Sequence, residues 1–314
     1  LSVQNNAEKQ FFDPDTNIPF RLQWNPYREL RKHHSILIER GVISNNIDQS
    51  ALINRDQNGK ACYLCKTNID AQNPKEILLE LSLSNKKFYV GTNFAFITNN
   101  HFTIMNAVHT PQDYGKSVVE SLNDFVDKTG GYFRAIYNGL AGASIKEHEH
   151  LQATPEEFPI EKISIKSSDL FFEDKRVRIL QPAFYTPVWL VEGVDNACVN
   201  AAADKIITKW QELNMPFHTT NIIAAKTRDQ KIFRTFVILR DKRKLACAGK
   251  KGAMAAFETG GNIILSCKSK ISENDHLNEK NTFENASLDT IKQMLREIAP
   301  SADKCYLLAK SLAF

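Results

Sequence analysis

Apolar side chains in the first half of the chain recur at the spacings of regular secondary structure. Residues 18–26 alternate between apolar and polar positions, which predicts a strand. Residues 87–105 predict two further strands around a turn, with 94–97 as part of the second. Residues 112–129 instead carry apolar side chains every fourth position before Gly130-Gly131, so we expect an amphipathic helix with a glycine stop. A buried strand at 131–137 follows.

The second half repeats a similar outline after a proline-containing link at 155–190. It contains no His-x-His and no simple sequence repeat of the first half. Residues 1–17 and 45–60 are polar and are predicted to be irregular. The remaining predicted elements are strands at 188–191, 220–225, 232–239 and 261–266 and helices at 195–213 and 288–298.

Bulk composition is that of an ordinary globular protein, with 314 residues, 42% apolar and 24% charged. The net charge of +4 is too small to indicate a nucleic-acid partner, but it suits an anionic small molecule held in a local basic pocket. No apolar run approaches the roughly 18–20 residues of a membrane span. Six dispersed cysteines favour a reduced, cytoplasmic setting over a disulfide framework. A removed targeting segment before Leu1 stays open.

The most informative stretch is residues 137–154. An extended segment there would place His148, His150 and Gln152 on one face, because successive strand side chains alternate. The small residues at 139–144 precede it, and backbone N–H groups in such a turn can approach an anion closely. These features together predict a phosphate site. The alternative is an exposed edge strand whose polar face carries two histidines.

Cys62 and Cys65 form a Cys-x-x-Cys pair. In a reduced protein such a pair is usually half of a metal site or a thiol redox pair. The redox interpretation expects a βαβ context, whereas a polar, loop-like segment follows here. Since the sequence contains no second pair, a metal site would need distant histidines. Two buried, reduced cysteines remain the alternative.

Residues 137–154 resemble the active-site segment of the galactose-1-phosphate uridylyltransferase-like branch of the histidine-triad superfamily, which includes diadenosine tetraphosphate phosphorylases and GDP-hexose phosphorylases. The shared motifs are Asn138-Gly139, Gly142-Ala143-Ser144 and the His-x-His-x-Gln from 148 to 152. His148 follows Ser144 by four positions, where the best-known members have three, and Lys146-Glu147 stand where a proline is usual. An uncharacterised bacterial subfamily shares the longer spacing.

Weaker matches extend the resemblance along the first half. They are Gln23-Trp24-Asn25-Pro26-Tyr27-Arg28, Asn93, His101-Phe102-Thr103-Ile104 and His109-Thr110-Pro111-Gln112. The resemblance implies an α+β, HIT-like fold with two related halves, each an antiparallel sheet flanked by helices. Residues 1–170 would be the catalytic half, and 171–314 a degenerate second half.

The resemblance also implies roles for individual residues. His150 would attack the α-phosphate of a nucleotide, Gln152 would donate to a phosphate oxygen, and Ser144 with its neighbouring amides would stabilise the developing charge. Cys62, Cys65, His109 and His148 would bind a structural zinc ion. The remaining substrate-binding candidates are Asn93, Asn138, Gly139, Gly142, Ala143, Arg28 and Arg240.

Three of these candidates have ordinary explanations on the sequence alone. Asn93 is also a typical hairpin-turn residue, Arg28 is also a typical exposed arginine, and Arg240 begins a basic segment that suits a solvated face. Leu239 replaces the proline that relatives carry before this arginine.

By resemblance, the chain is a nucleotidyltransferase or phosphorylase acting on a nucleotide sugar or a dinucleotide polyphosphate. Inorganic phosphate or a sugar phosphate would be the acceptor, and the kinetics would be ping-pong. A hydrolase of the same substrates, with water as the acceptor, is one alternative. The other is a zinc-stabilised nucleotide-binding protein without turnover. The resemblance leaves a homodimer open.

Overall fold

The computed structural model describes residues 7–26, 28, 48–55, 59–93, 95–213, 216–266 and 280–312. Its strands are β1 Ala7–Asp13, β2 Ile18–Trp24, β3 Leu79–Leu83, β4 Lys86–Thr92, β5 Phe102–Asn106, β6 Arg134–Asn138, β7 His150–Thr154, β8 Leu170–Glu173, β9 Val177–Leu180, β10 Val188–Gly193, β11 His218–Lys226, β12 Phe233–Asp241 and β13 Asn262–Leu265. Its helices include α1 Lys66–Gln72, α2 Ser117–Lys128, α3 Asn196–Glu212, α4 Ala256–Thr259, α5 Leu288–Glu297 and α6 Ala302–Ser311. No described helix is long and apolar enough to cross a membrane.

Ten strands form one antiparallel sheet in the order β3-β4-β5-β7-β6-β11-β12-β10-β9-β8. Each half contributes three successive strands, a helix and a final hairpin, and in each half the last strand lies between the third and the fourth. The halves join where β6 pairs with β11, with Asn138 opposite Asn221. The expected pair of related halves is confirmed, although their strands share one continuous sheet. A division after residue 170 stays a prediction.

One face of this sheet packs against α2, α3 and α6. Leu151 and Ala153 of β7 point into this core and are fully buried. Because strand side chains alternate, His150 and Gln152 lie on the opposite face. The predicted shared face of these two residues is therefore found, while β7 begins at His150 and leaves His148 in the bend before it.

The opposite face packs against the three-stranded sheet β1-β2-β13 and against α5. The prediction that residues 1–17 are irregular is wrong for residues 7–13, because Ala7–Asp13 pairs with β2 along its whole length. Most of β1 is exposed and polar, so no apolar alternation marks it. Its end is fixed by the buried Asp13, which lies 2.8 Å from the Lys292 ammonium group of α5.

Other differences concern the boundaries of predicted elements and elements with little apolar periodicity. The helix predicted from 112 begins at Ser117. Within the strand predicted at 94–97, Phe94 lies outside the described residues and 95–97 form a turn and bend. The strands β3, β8 and β9 and the helices α4 and α6 were not predicted, and both β3 and β8 are mostly exposed edge strands. The loop predicted directly after Cys65 is wrong, because Lys66–Gln72 forms the helix α1.

Candidate active site and metal centre

His150 begins β7 between β5 and β6. Its Nδ1 lies 2.9 Å from the backbone oxygen of His148. A carbonyl oxygen only accepts hydrogen bonds, so Nδ1 carries the proton and Nε2 keeps its lone pair. The ring is 4% exposed, and this burial lowers the pKa of His150 below its usual value. The result is a neutral imidazole in a fixed tautomer, the form required of a nucleophile.

Gln112 holds the backbone of His150 in place. The Gln112 side-chain oxygen accepts from the His150 N–H at 2.7 Å, and its amide nitrogen donates to the backbone oxygens of Asn138 and His150 at 2.9 and 3.0 Å. The side chain is fully buried. The sequence alone predicts no role for Gln112, although this residue ends the His-x-Pro-Gln motif. It ties the end of β6 to the start of β7.

Gln152 lies two positions further along the same face and is half-buried. Its Oε1 is 2.9 Å from Nε2 of His101, which lies immediately before β5. His101 is 3% exposed. The chemistry available on this face of β7 is therefore a neutral imidazole with a carboxamide next to it.

The small-residue turn uses most of its backbone N–H groups within the protein. The amide of Gly139 donates to the Thr220 oxygen, and those of Gly142 and Ala143 donate to the Gly139 oxygen, at 2.9–3.0 Å. Ser144 is exposed, and its own N–H has no acceptor among the described residues. The N–H of Ala141 likewise has no acceptor among the described residues, but Ala141 is buried. The anion-binding capacity expected of the whole turn is thus left to the N–H groups of Ala141 and Ser144.

The two glycines of the turn make room for the second half of the protein. A Cβ on Gly139 would lie 2.2 Å from Thr219 Oγ1 and 2.4 Å from the Thr220 oxygen, and one on Gly142 would lie 2.6 Å from Ala255 Cα. Close packing against β11 and the segment before α4 therefore accounts for both glycines.

Gly139→Ala should lower the free energy of unfolding by roughly 1–3 kcal/mol, since the added methyl group overlaps a backbone oxygen that cannot move alone. Chemical denaturation of the purified variant measures this change. Gly115→Ala is the matched control, because a Cβ at Gly115 meets nothing within 4 Å. Equal stabilities of the two variants would contradict the packing explanation.

The two asparagines make hydrogen bonds within the protein. The Asn138 side-chain oxygen accepts from the Ala256 N–H at 2.7 Å, which fastens α4 to the end of β6. The Asn93 side chain accepts from the Ala95 N–H at 3.0 Å and donates to Thr103 Oγ1 at 3.1 Å. Both side chains shape the loops that surround the face carrying His150.

The two arginines differ in accessibility. Arg28 is half-buried and donates to the Ala95 oxygen at 2.8 Å, and its charge is felt at His101 and Glu258. Arg240 is fully buried and donates to the Asn221 side chain and to the Met254 oxygen. Arg240 therefore contacts the protein interior, and Arg28 is the arginine placed closer to the solvent.

Cys62, Cys65, His109 and His148 form a cluster whose potential ligand atoms all lie within 4.8 Å of one another. The Cys62 sulfur is 3.3 Å from His148 Nδ1, and the Cys65 sulfur is 3.3 Å from His109 Nδ1 and 3.6 Å from His148 Nδ1. Burial raises the pKa of the Cys62 thiol to about 12, so a bound cation would be needed to keep this sulfur ionised. The cluster is compatible with a metal site.

The orientation of His148 suits metal binding. Its Nε2 donates to the Asn106 oxygen at 2.7 Å, which leaves the Nδ1 lone pair directed at the sulfurs. Burial lowers the pKa of His148 to about 4, so the ring is neutral. The backbone oxygen of the same residue accepts from His150. One residue therefore connects the cluster to the imidazole of His150.

A domain of unknown function, DUF4922, matches residues 9–155, which include the four cluster residues and both His150 and Gln152. The chain is 26% identical over 162 residues to the galactose-1-phosphate uridylyltransferase of Latilactobacillus sakei, covering 46% of this chain and 32% of the relative. It is 25% identical over 206 residues to the corresponding protein of Halalkalibacterium halodurans, covering 58% and 40%. The chain thus spans less than half the length of either relative.

The fold is similar to that of the yeast Ap4A phosphorylase Apa2 in complex with Ap4A. The TM-score is 0.56 at 13% sequence identity, and the likeness covers 95% of this chain and 91% of that chain. Apa2 in complex with AMP gives a TM-score of 0.53 at the same identity. At this identity the comparison concerns the fold, and the α+β, HIT-like architecture expected from the sequence is confirmed.

Proposed function

We propose that the chain is a nucleotidyltransferase of the phosphorylase type, in the galactose-1-phosphate uridylyltransferase-like branch of the histidine-triad superfamily. The proposal is supported by its sequence similarity to galactose-1-phosphate uridylyltransferases and its fold similarity to Apa2. The observation that carries the proposal is the neutral His150 imidazole, whose Nδ1–H is held by the His148 oxygen at 2.9 Å. Such a ring can attack phosphorus through Nε2 without first losing a proton.

In the first displacement, Nε2 of His150 forms a bond to the α-phosphorus of the donor while the bond from phosphorus to the leaving-group oxygen breaks. The ring then acquires a positive charge that is shared between its two nitrogens. The hydrogen bond from Nδ1–H to the His148 oxygen stabilises this charge. Gln152 and the Ser144 hydroxyl and amide donate to the non-bridging phosphate oxygens. In the second displacement, the acceptor oxygen attacks phosphorus and His150 leaves as a neutral ring.

The substrate class that we propose is a nucleotide sugar or a dinucleotide polyphosphate, with inorganic phosphate or a sugar phosphate as the acceptor. This proposal is supported by the similarity of the chain to a galactose-1-phosphate uridylyltransferase in sequence and to an Ap4A phosphorylase in fold. Arg28, which is half-buried and whose positive charge acts on His101, is the cation that we propose attracts the polyphosphate.

We further propose that the Cys₂His₂ cluster binds zinc. A tetrahedral zinc ion with bond lengths near 2.3 Å to sulfur and 2.0–2.1 Å to nitrogen separates its sulfur and nitrogen ligands by about 3.5 Å. Three of the four sulfur–nitrogen pairs lie 3.3, 3.3 and 3.6 Å apart, and all of the potential ligand atoms lie within 4.8 Å of one another. Four protein ligands close the coordination shell, so the ion would supply structural order. The chain's own residues carry the transfer.

Incubation with UDP-glucose, GDP-mannose or Ap4A tests the function. We expect release of a nucleoside diphosphate from the accepted donor only when inorganic phosphate is present, because phosphate accepts the nucleotidyl group. With ³²P-labelled phosphate, the label should appear in the β-phosphate of that product. A nucleoside monophosphate formed without phosphate would identify a hydrolase. If no donor releases a nucleotide product, and no α-³²P-labelled donor labels the protein, a binding protein without turnover would be favoured.

A further inference from the structure

Gln152 can assist phosphate binding only if its amide nitrogen faces the substrate, because its carbonyl oxygen would repel a phosphate. The oxygen and nitrogen of a carboxamide have nearly the same shape. Hydrogen-bonding partners therefore decide which of them faces the site. The residues around Gln152 make hydrogen bonds that fix the orientation of its carboxamide.

The direction of hydrogen bonding is set by a backbone group that can act in one way only. The N–H of Ile97 lies 3.2 Å from Nδ1 of His101, and a backbone N–H can only donate. Nδ1 of His101 is therefore the acceptor, so the proton of the neutral ring is on Nε2. That N–H points at Oε1 of Gln152 at 2.9 Å. Once its oxygen is engaged in this way, Gln152 turns its amide nitrogen away from His101.

We propose that His101 is a positioning residue. It accepts a hydrogen bond from the Ile97 N–H and donates one to Oε1 of Gln152, and it thereby directs the Gln152 amide hydrogens at the phosphate attacked by His150. This inference rests on the proposed function, since it assigns Gln152 to the substrate. Its hydrogen-bond geometry, however, belongs to the protein alone. His101 touches Gln152 and does not need to touch the substrate.

The surroundings of His101 keep the ring neutral and fixed. It is 3% exposed and packs edge-on against Phe257 of α4, with ring centroids 5.1 Å apart. Burial, with the nearby positive charge of Arg28 as a second cause, lowers the pKa of His101 to about 3. A protonated ring would carry hydrogen on both nitrogens and could not accept from Ile97. The neutral form therefore preserves the relay at neutral pH.

The tautomer can be measured without any substrate. In protein labelled with ¹⁵N-histidine, the His101 signals, assigned by their loss in His101→Phe, should show an unprotonated Nδ1 and a protonated Nε2 from pH 6 to pH 8. A proton on Nδ1 within this range would overturn the proposal, whatever the protein's activity.

A double-mutant cycle tests the coupling to catalysis. The rate of labelling is measured with the ³²P-labelled donor that the wild-type protein accepts, for His101→Phe, Gln152→Ala and the double variant. We expect His101→Phe to slow labelling by roughly tenfold, the equivalent of one hydrogen bond. In the Gln152→Ala background the same change should have almost no effect, because its target is gone.

His218→Phe is the matched control. His218 is also a buried histidine, 4% exposed and stacked on Trp210 at 3.6 Å, and it makes no contact with Gln152. His218→Phe should label at the wild-type rate, and His101→Gln, which retains a side-chain N–H, should regain part of the lost rate. Independent effects of His101→Phe and Gln152→Ala would overturn the proposal. If the wild-type protein takes no label, the proposed function fails, and the tautomer still decides the role of His101.

Discussion

His150→Ala should abolish nucleotidyl transfer and leave the fold intact. The expected loss is about four orders of magnitude or more, as for removal of a nucleophile in other covalent mechanisms. The neighbouring histidines cannot replace it, because Nε2 of His101 is directed at Gln152 and Nδ1 of His148 at the cysteines. The measurement is transfer of ³²P from an α-labelled donor to the protein. The label should survive base and be released by acid, as expected of a phosphorus–nitrogen bond.

Two comparisons make the result of His150→Ala specific. The variant should unfold near the wild-type temperature, since the substitution removes a ring from the start of a strand whose backbone is held by Gln112. His150→Gly together with added free imidazole should restore part of the transfer, because the small base can occupy the vacated space. Full transfer by His150→Ala, or label on another residue, would refute the covalent mechanism.

Elements that bury one face were predictable from sequence, and elements at the edges were not. Burial against a core imposes apolar residues at fixed spacing, and α2 carries this spacing clearly. In contrast, β1 and β3 are mostly exposed, so their residues need not alternate. Their extended conformation depends on a partner strand, which a local pattern cannot identify.

The chemistry of the site was partly predictable for a related reason. A period of two placed His150 and Gln152 on one face, because both belong to one strand. The supporting residues Gln112 and His101 are separated from them by 38 and 51 positions, and only the folded hydrogen-bond network assigns them a role. The glycines at 139 and 142 were interpreted as room for an anion, while the structure places β11 and the segment before α4 against them.

Removal of the proposed zinc ion should both destabilise the protein and impair His150. The four cluster residues come from three separate segments of the first half, and structural zinc typically contributes many kcal/mol to folding. We expect exhaustive chelation to lower the melting temperature by about 10 °C or more. Metal analysis before chelation should find one zinc ion per chain. Differential scanning calorimetry, followed by readdition of zinc, measures the loss and its reversal.

The second effect of metal loss follows from the double role of His148. Its side chain belongs to the cluster, while its backbone oxygen fixes the Nδ1 proton of His150 at 2.9 Å. If the ion releases His148, that oxygen is no longer held and the His150 tautomer loses its constraint, so labelling should slow even below the melting temperature. Cys62→Ser should reproduce both effects. Cys198→Ser, at a half-buried cysteine outside the cluster, should reproduce neither. The opposite outcome is a protein that contains no metal and whose melting temperature and labelling rate change equally in Cys62→Ser and Cys198→Ser. In that case the cysteines act only as buried side chains, and the position of His150 depends on Gln112 and the strand alone.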